Sequence, residues 1–274
     1  MTRRLMLAFS LAVAASLPAS ERLVDVGTHK LFVRQEGTRG PTVVFESGMN
    51  QTIASWDKVI PEVAKFARVV AYDRAGYGKS EASPEAPVAR EVARELHTLL
   101  ARIHAKPPYV LVGHSLGGTY IRVFSSMYPK EVAGFVFADA AMVWRLNAFM
   151  RRDFSNMYWE GEREWAENRE KLPPAKRLEY AAITVSEEQA RAAWPLPRVP
   201  AIVITGARPH GMFEKPEDDQ RYIDGWVQIH REELVDKLPG SKHVILPDTG
   251  HMIPTAKPEA IIDAVREVIT PPTP

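Results

Sequence analysis

From Thr42 onward the chain alternates short apolar runs with longer amphipathic stretches. The apolar runs predict strands at Thr42–Glu46, Arg68–Tyr72, Tyr109–Val112, Gly134–Ala138, Ala201–Thr205 and His243–Leu246. Most are apolar throughout rather than alternating, as strands covered on both faces must be. Two earlier segments, Leu23–Val26 and Lys30–Gln35, read as an antiparallel hairpin. Between strands, apolar residues recur at helical spacing. Val92, Leu96, Leu99, Leu100 and Ile103 form one set, and Tyr120, Val123, Phe124 and Met127 another. A third, Ile261, Val265, Val268 and Ile269, follows Pro258, which is tolerated at the first helical position. Strands alternating with helices predict an α/β fold with a doubly wound, mostly parallel sheet.

One stretch breaks the alternation. Met142 to Pro200 holds no convincing strand, but it has helical patterns, a Ser186 to Gln189 capping box and the breakers Pro173, Pro174, Pro195 and Pro197. It reads as a helical cap, residues 142–200, inserted into a core made of residues 21–141 and 201–274. Its Trp144, Phe149, Phe154, Tyr158, Trp159, Trp165 and Trp194 are candidates to line an apolar substrate pocket, against the plainer reading that they pack the cap helices. Residues 1–20, MTRRLMLAFSLAVAASLPAS, place two arginines before an apolar run and small residues after it. That is the layout of a cleavable signal peptide, with an apolar core too short to span a bilayer comfortably. With cleavage, the mature protein is expected to be exported, periplasmic or secreted, without a stable membrane span; an uncleaved anchor or a mistaken start codon is the alternative.

Composition narrows the chemistry. The 274 residues carry a formal net charge of +1 with acids and bases interspersed, which leaves no electrostatic footprint for nucleic acid. With no cysteine, disulfides, thiolate catalysis and cysteine-ligated zinc are all excluded.

The candidate chemistry centres on YVLVGHSLGGTYIRVF. Gly113, His114, Ser115, Leu116 and Gly117 form G-x-S-x-G directly between an apolar strand and a helix. A sharp strand-to-helix turn needs glycine on both sides and lifts the serine hydroxyl above the sheet edge. The helix that follows aims unpaired N–H groups and the positive end of its dipole at developing negative charge.

At this point the chain resembles the α/β-hydrolase family, through VVFESGMNQTIASW, YDRAGYGKS, VGHSLGG and PDTGHMI in the family's order. The resemblance covers almost everything after the signal and implies a serine hydrolase with a Ser, acid, His triad in that order. Ser115 is then the nucleophile and His251, in PDTGHMI before the last helix, the base. The backbone N–H groups of Leu116 and Met49 would form the oxyanion hole. Where the family often has His-Gly before the second donor, this chain has Ser47 and Gly48; Ser47 and Asn50 would either tune the pocket or pack the loop. His114 would shape the turn, Asp73 the YDRAGYGKS turn and Asp248 the histidine loop, while His210 lies within possible reach of the pocket.

The acid departs from the usual pattern. The family's common G-x-x-D position falls in VITGARPHG on Pro209, which has no carboxylate. Asp139, ending the strand in FVFADAA, is the preferred replacement, because that strand should neighbour the nucleophile's. Glu217, Asp218 and Asp219, reaching back from the following loop, are alternatives, and a dyad without an acid is a third. The expected reaction is hydrolysis of a carboxylic ester or lactone through an acyl-serine intermediate, with no metal or organic cofactor and a small apolar or aromatic ester as the partner molecule. Amide or carbon–carbon bond hydrolysis by the same triad, and a noncatalytic ligand-binding protein, stay open. An aspartate nucleophile, as in the fold's dehalogenases and epoxide hydrolases, is disfavoured by Ser115.

Overall fold

The computed structural model describes residues 19–209, 211 and 213–270. The predicted signal segment lies outside these residues except for its last two positions, and so does His210. Eight strands form one sheet: β1 (Ser20–Asp25), β2 (Lys30–Glu36), β3 (Thr42–Glu46), β4 (Arg68–Tyr72), β5 (Tyr109–His114), β6 (Val132–Ala138), β7 (Ala201–Gly206) and β8 (Lys242–Leu246). Their order is β1-β2-β4-β3-β5-β6-β7-β8. β1 and β2 pair antiparallel, as do β2 and β4, and every pairing from β4 to β8 is parallel. The helices are α1 (Ile60–Val63), α2 (Ala89–Arg102), α3 (Gly117–Met127), α4 (Val143–Asp153), α5 (Ser155–Asn168), α6 (Pro174–Ala192), α7 (Pro216–His230), α8 (Ile253–Ala256) and α9 (Pro258–Ile269).

Why the central strands are apolar at every position follows from the two cores. Successive side chains point to opposite faces. On β5, Leu111 joins the core formed with Leu96, Leu99 and Phe124 of α2 and α3, whereas Val110 and Val112 join the core formed with Ile261, Val265 and Val268 of α9. β7 divides in the same way, Val203 facing one core and Ile202 and Ile204 the other. Parallel pairing brings the C-terminal ends of β3, β5, β6, β7 and β8 to one edge, where such sheets hold their ligands.

The helical insertion between β6 and β7 consists of α4, α5 and α6. Here the structure corrects one expectation. Ser186 and Gln189 do not begin a helix; they lie inside α6, near its C-terminal end. Ser186 Oγ accepts a hydrogen bond from Ala89 N–H (3.0 Å) and Gln189 Oε1 accepts one from Arg90 N–H (2.8 Å). Those donors are orphans of the first turn of α2, whose N-cap residue Val88 has no side-chain oxygen to offer. The residues therefore cap another helix across the core, a partnership that local spacing cannot reveal. α6 is further tied down by Glu187, which pairs with buried Arg122 of α3 at 3.3 Å and accepts from Thr119 Oγ1 at 2.5 Å.

A second correction concerns Glu217, Asp218 and Asp219, expected on a loop, which instead open α7. Pro216 occupies its first turn, and Glu217, Asp218 and Asp219 follow at the positive end of the helix dipole. Asp218 pairs with Arg221 at 3.2 Å. Among the described residues, no helix is long and apolar enough to cross a membrane.

Candidate active site

Ser115 stands between β5 and α3 with φ at +51°. Left-handed backbone at a residue with a Cβ costs on the order of 1–3 kcal/mol and persists only where neighbours enforce it. Here Ser115 N–H donates to Ala138 O (3.1 Å), and its carbonyl accepts from Gly118 N–H (2.9 Å) and Ala141 N–H (2.7 Å). Glycine is compulsory on both sides. A Cβ on Gly113 would sit 2.8 Å from the Gly117 carbonyl carbon, and one on Gly117 would strike the backbone carbonyl of Glu46.

The register of β5 against β6 pairs His114 with Ala138, so the next residues, Ser115 and Asp139, leave the sheet side by side. Asp139 is also left-handed, with φ at +46°. Its Oδ2 accepts from His251 Nδ1–H at 2.6 Å, while its Oδ1 accepts from Gly206 N–H at 2.9 Å and Trp226 Nε1–H at 3.0 Å. The carboxylate is 2% exposed and the imidazole 44%. Burial pushes the Asp139 carboxyl up, but the His251 hydrogen bond, the nearby His230 and the Gly206 N–H outweigh it and hold the group below its ordinary value. With Nδ1–H committed to an ionised carboxylate, a neutral His251 ring keeps Nε2 bare as an acceptor.

Two further histidines brace this pair. His230, fully buried, donates Nε2–H to Ala140 O at 2.8 Å, and its Nδ1 accepts from Thr205 Oγ1 at 2.6 Å. Thr205 Oγ1 in turn accepts from His243 Nε2–H at 2.8 Å. Every member of this chain is satisfied with both rings neutral, consistent with burial lowering the His230 and His243 pKa values. The turn that carries Asp139 is thereby fixed from below. His114 donates Nε2–H to the carbonyl of His251 at 2.8 Å, and burial pushes its pKa down to about 4. The residue next to the serine thus grips the backbone of the histidine, a sharper role than shaping the turn.

At the expected oxyanion positions, Leu116 opens α3 and Met49 lies just past β3. Neither backbone N–H donates to any other described residue. Ser47 serves loop packing, accepting from Trp56 Nε1–H at 2.9 Å. Asp73 holds its turn by accepting from Ile53 N–H (2.8 Å) and Lys79 N–H (3.0 Å), and Asp248 accepts from Thr249 Oγ1 (3.0 Å) and pairs with Lys257 (2.7 Å). After β7, Ala207 and Arg208 N–H bind Leu246 O and Thr249 O, so the segment leading to Pro209 is laced to the loop after β8. β7 supplies Asp139 with a backbone donor, Gly206 N–H.

A cavity of about 250 Å³ opens beside Ser115, Asp139 and His251. Its walls are Met142, Val143 and Leu146 at the start of the insertion and Tyr222 and Trp226 of α7. None of the seven aromatic residues singled out in the sequence lines it. Phe149 and Phe154 pack on each other and on Tyr222, and Trp165 stacks on Tyr180 with ring centroids 3.5 Å apart. Tyr222 and Trp226 escaped notice because α7 did; the apolar spacing of Ile223, Trp226 and Ile229 was the available signal.

The family model described as alpha/beta hydrolase fold matches residues 41–182. The uncharacterized protein YqjL of Bacillus subtilis (strain 168) is 32% identical over 108 residues, 39% of this chain and 43% of that protein. Across the first curated relatives matched, the shared stretch spans between 18% and 43% of their own length. Among solved structures, a putative lipase from Acinetobacter baumannii AYE superimposes with a TM-score of 0.68 at 16% identity, covering 91% of this chain and 90% of that one. The enol-lactonase from Burkholderia xenovorans LB400 gives 0.64 at 18% identity, covering 91% and 100%.

Proposed function

This chain belongs to the α/β-hydrolase fold family, and on that premise we propose that it is a serine hydrolase cleaving a small, apolar carboxylic ester or lactone. The observation that carries the reading is the Asp139–His251 hydrogen bond of 2.6 Å at the cavity that also holds Ser115. The ligand-binding alternative rests on Pro209 at the usual acid position, and the Asp139–His251 hydrogen bond favours the hydrolase reading over it. An enol-lactonase and a putative lipase are among the structures of the same fold, as are epoxide hydrolases, and Ser115 rather than an aspartate at the nucleophile position favours the ester or lactone reading.

In the reaction, Ser115 Oγ attacks the carbonyl carbon as His251 Nε2 takes its proton, and the imidazolium that forms is stabilised by Asp139. The carbonyl oxygen, now carrying negative charge, is held by the N–H groups of Met49 and Leu116. Collapse breaks the acyl C–O bond, and His251 returns the proton to the departing alcohol. Water then enters; His251 takes one of its protons, its oxygen attacks the acyl-serine, and the acid leaves as Ser115 recovers its proton. In a lactone the alcohol stays tethered to the acid. If residues 1–20 direct export, the reaction runs outside the cytoplasm.

The walls restrict the acyl part. About 250 Å³ falls below the roughly 300–1,000 Å³ of drug-sized pockets, and Met142, Val143 and Leu146 offer only apolar surface. The Trp226 N–H is already committed to Asp139. Aryl acetates to butyrates and small lactones are therefore expected to be turned over, with kcat/KM falling at least about 10-fold by an eight-carbon acyl chain. Leu146→Ala should move the optimum to longer chains, each buried methylene being worth about 0.8 kcal/mol. A steady-state panel over acyl length and lactone ring size checks both; failure to hydrolyse any ester or lactone contradicts the reading.

A further inference from the structure

Arg74, in the turn after β4, is almost completely buried and lies between two buried carboxylates. It pairs with Glu46 at the end of β3 at 2.9 Å and with Glu179 of α6 at 2.7 Å. The same guanidinium donates to Ser47 O at 2.6 Å and to Gly48 O at 2.7 Å. Glu179, with 1% side-chain exposure, also accepts from Tyr77 (2.7 Å), Tyr120 (3.1 Å) and the backbone N–H of Asn50 (3.4 Å). Asn50 itself is held left-handed at φ +58°.

These contacts bracket one atom. The Gly48 carbonyl and the Met49 N–H belong to a single planar trans peptide, so they point in opposite directions. Arg74 holds the oxygen from one side and thereby turns the Met49 N–H toward the other. Glu179 clamps the peptide that follows, at Asn50 N–H. The peptide unit expected to give the second oxyanion donor is thus held at its oxygen by Arg74, and the peptide after it is held at its N–H by Glu179, the acid that Arg74 pairs with.

We infer that Glu179 is a positioning residue which, acting directly and through Arg74, sets the direction of the Met49 N–H, so that the oxyanion hole is complete only when α6 is docked on the core. The inference rests on the serine-hydrolase reading. It explains why a carboxylate from the inserted helices is buried in the core beside the β3 loop instead of lining the cavity at Ser115.

The test compares Glu179→Gln and Arg74→Lys with Glu187→Gln, which loosens the same helix at its contact with Arg122 but touches nothing near Met49. With an aryl acetate, Glu179→Gln and Arg74→Lys should each lower kcat about 10- to 100-fold with KM within about 3-fold, because the donor acts on charge present only in the transition state. Affinity for an alkyl boronic acid, which forms a tetrahedral adduct on serine, should fall in the same proportion. Glu187→Gln should lower Tm while keeping kcat within about 3-fold, and Arg74→Lys carries the test should Glu179→Gln not fold. Equal kcat in the Glu179 and Glu187 variants, or a change confined to KM, overturns the inference while leaving the serine-hydrolase reading intact. A wild-type protein that hydrolyses no ester or lactone overturns both.

Discussion

Ser115→Ala is expected to abolish ester hydrolysis, lowering kcat by about 10⁴-fold or more while KM for an aryl acetate stays within a few-fold. Removing the nucleophile of such a unit costs nearly as much as removing the whole unit, because what remains is only the oxyanion hole and binding. The substitution should not unfold the protein. Ser115 pays a backbone strain at φ +51° that alanine shares, and the backbone hydrogen bonds that enforce it do not involve the hydroxyl. Steady-state kinetics with a thermal melt checks both parts, and a Ser115→Ala variant retaining more than about a hundredth of wild-type kcat would point to another nucleophile.

Asp139→Asn has the next largest effect, a fall in kcat of about 10⁴-fold at neutral pH. Asparagine can keep Oδ1 as the acceptor for Gly206 N–H and Trp226 Nε1–H, which leaves its NH₂ facing His251 Nδ1. Nδ1 must then become the acceptor, Nε2 takes the proton, and the ring can no longer deprotonate Ser115. Asp218→Asn, whose carboxylate pairs with Arg221, should keep activity within about 2-fold. Stability gives an independent check. The folded Asp139 pKa is depressed below the ordinary 3.8, so its ionised form stabilises the fold above that value, and this contribution is lost as pH falls through the folded pKa. Acid unfolding of Asp139→Asn should lack that component. Full activity in Asp139→Asn together with loss in Asp218→Asn would reverse the assignment.

Much of this was legible in the chain because it is encoded locally. The six apolar runs and the two hairpin segments before them mark the eight strands, and Gly113 and Gly117 announce a turn that tolerates no Cβ. Pro209 marked the absence of a carboxylate at the usual position. Which carboxylate meets His251 depends on strand order: Asp139 and His251 are 112 residues apart and meet because β6 and β8 flank β7 and end at the same edge of the sheet. The same limit applies to Ser186 and Gln189, whose residue types suit capping but whose target, α2, lies across the core. α7 was hidden because its polar first turn, Glu217, Asp218 and Asp219, resembles a loop, and with it went Trp226 and Tyr222. The aromatic residues of the insertion were conspicuous in composition, yet their rings pack on neighbours such as Tyr222, Tyr180 and Arg191 or face solvent, as Trp159 does. Glu179 could not be singled out, since one glutamate in an amphipathic helix ordinarily faces water.

The central claim is that Ser115 is a nucleophile activated by His251 and Asp139. Intact-mass and peptide mass spectrometry after a brief exposure to a fluorophosphonate tests it most directly. The expected result is a single adduct on Ser115 in the wild-type chain, forming at least about 100-fold more slowly in Asp139→Asn. An adduct on another residue, or none on folded protein, would contradict the claim.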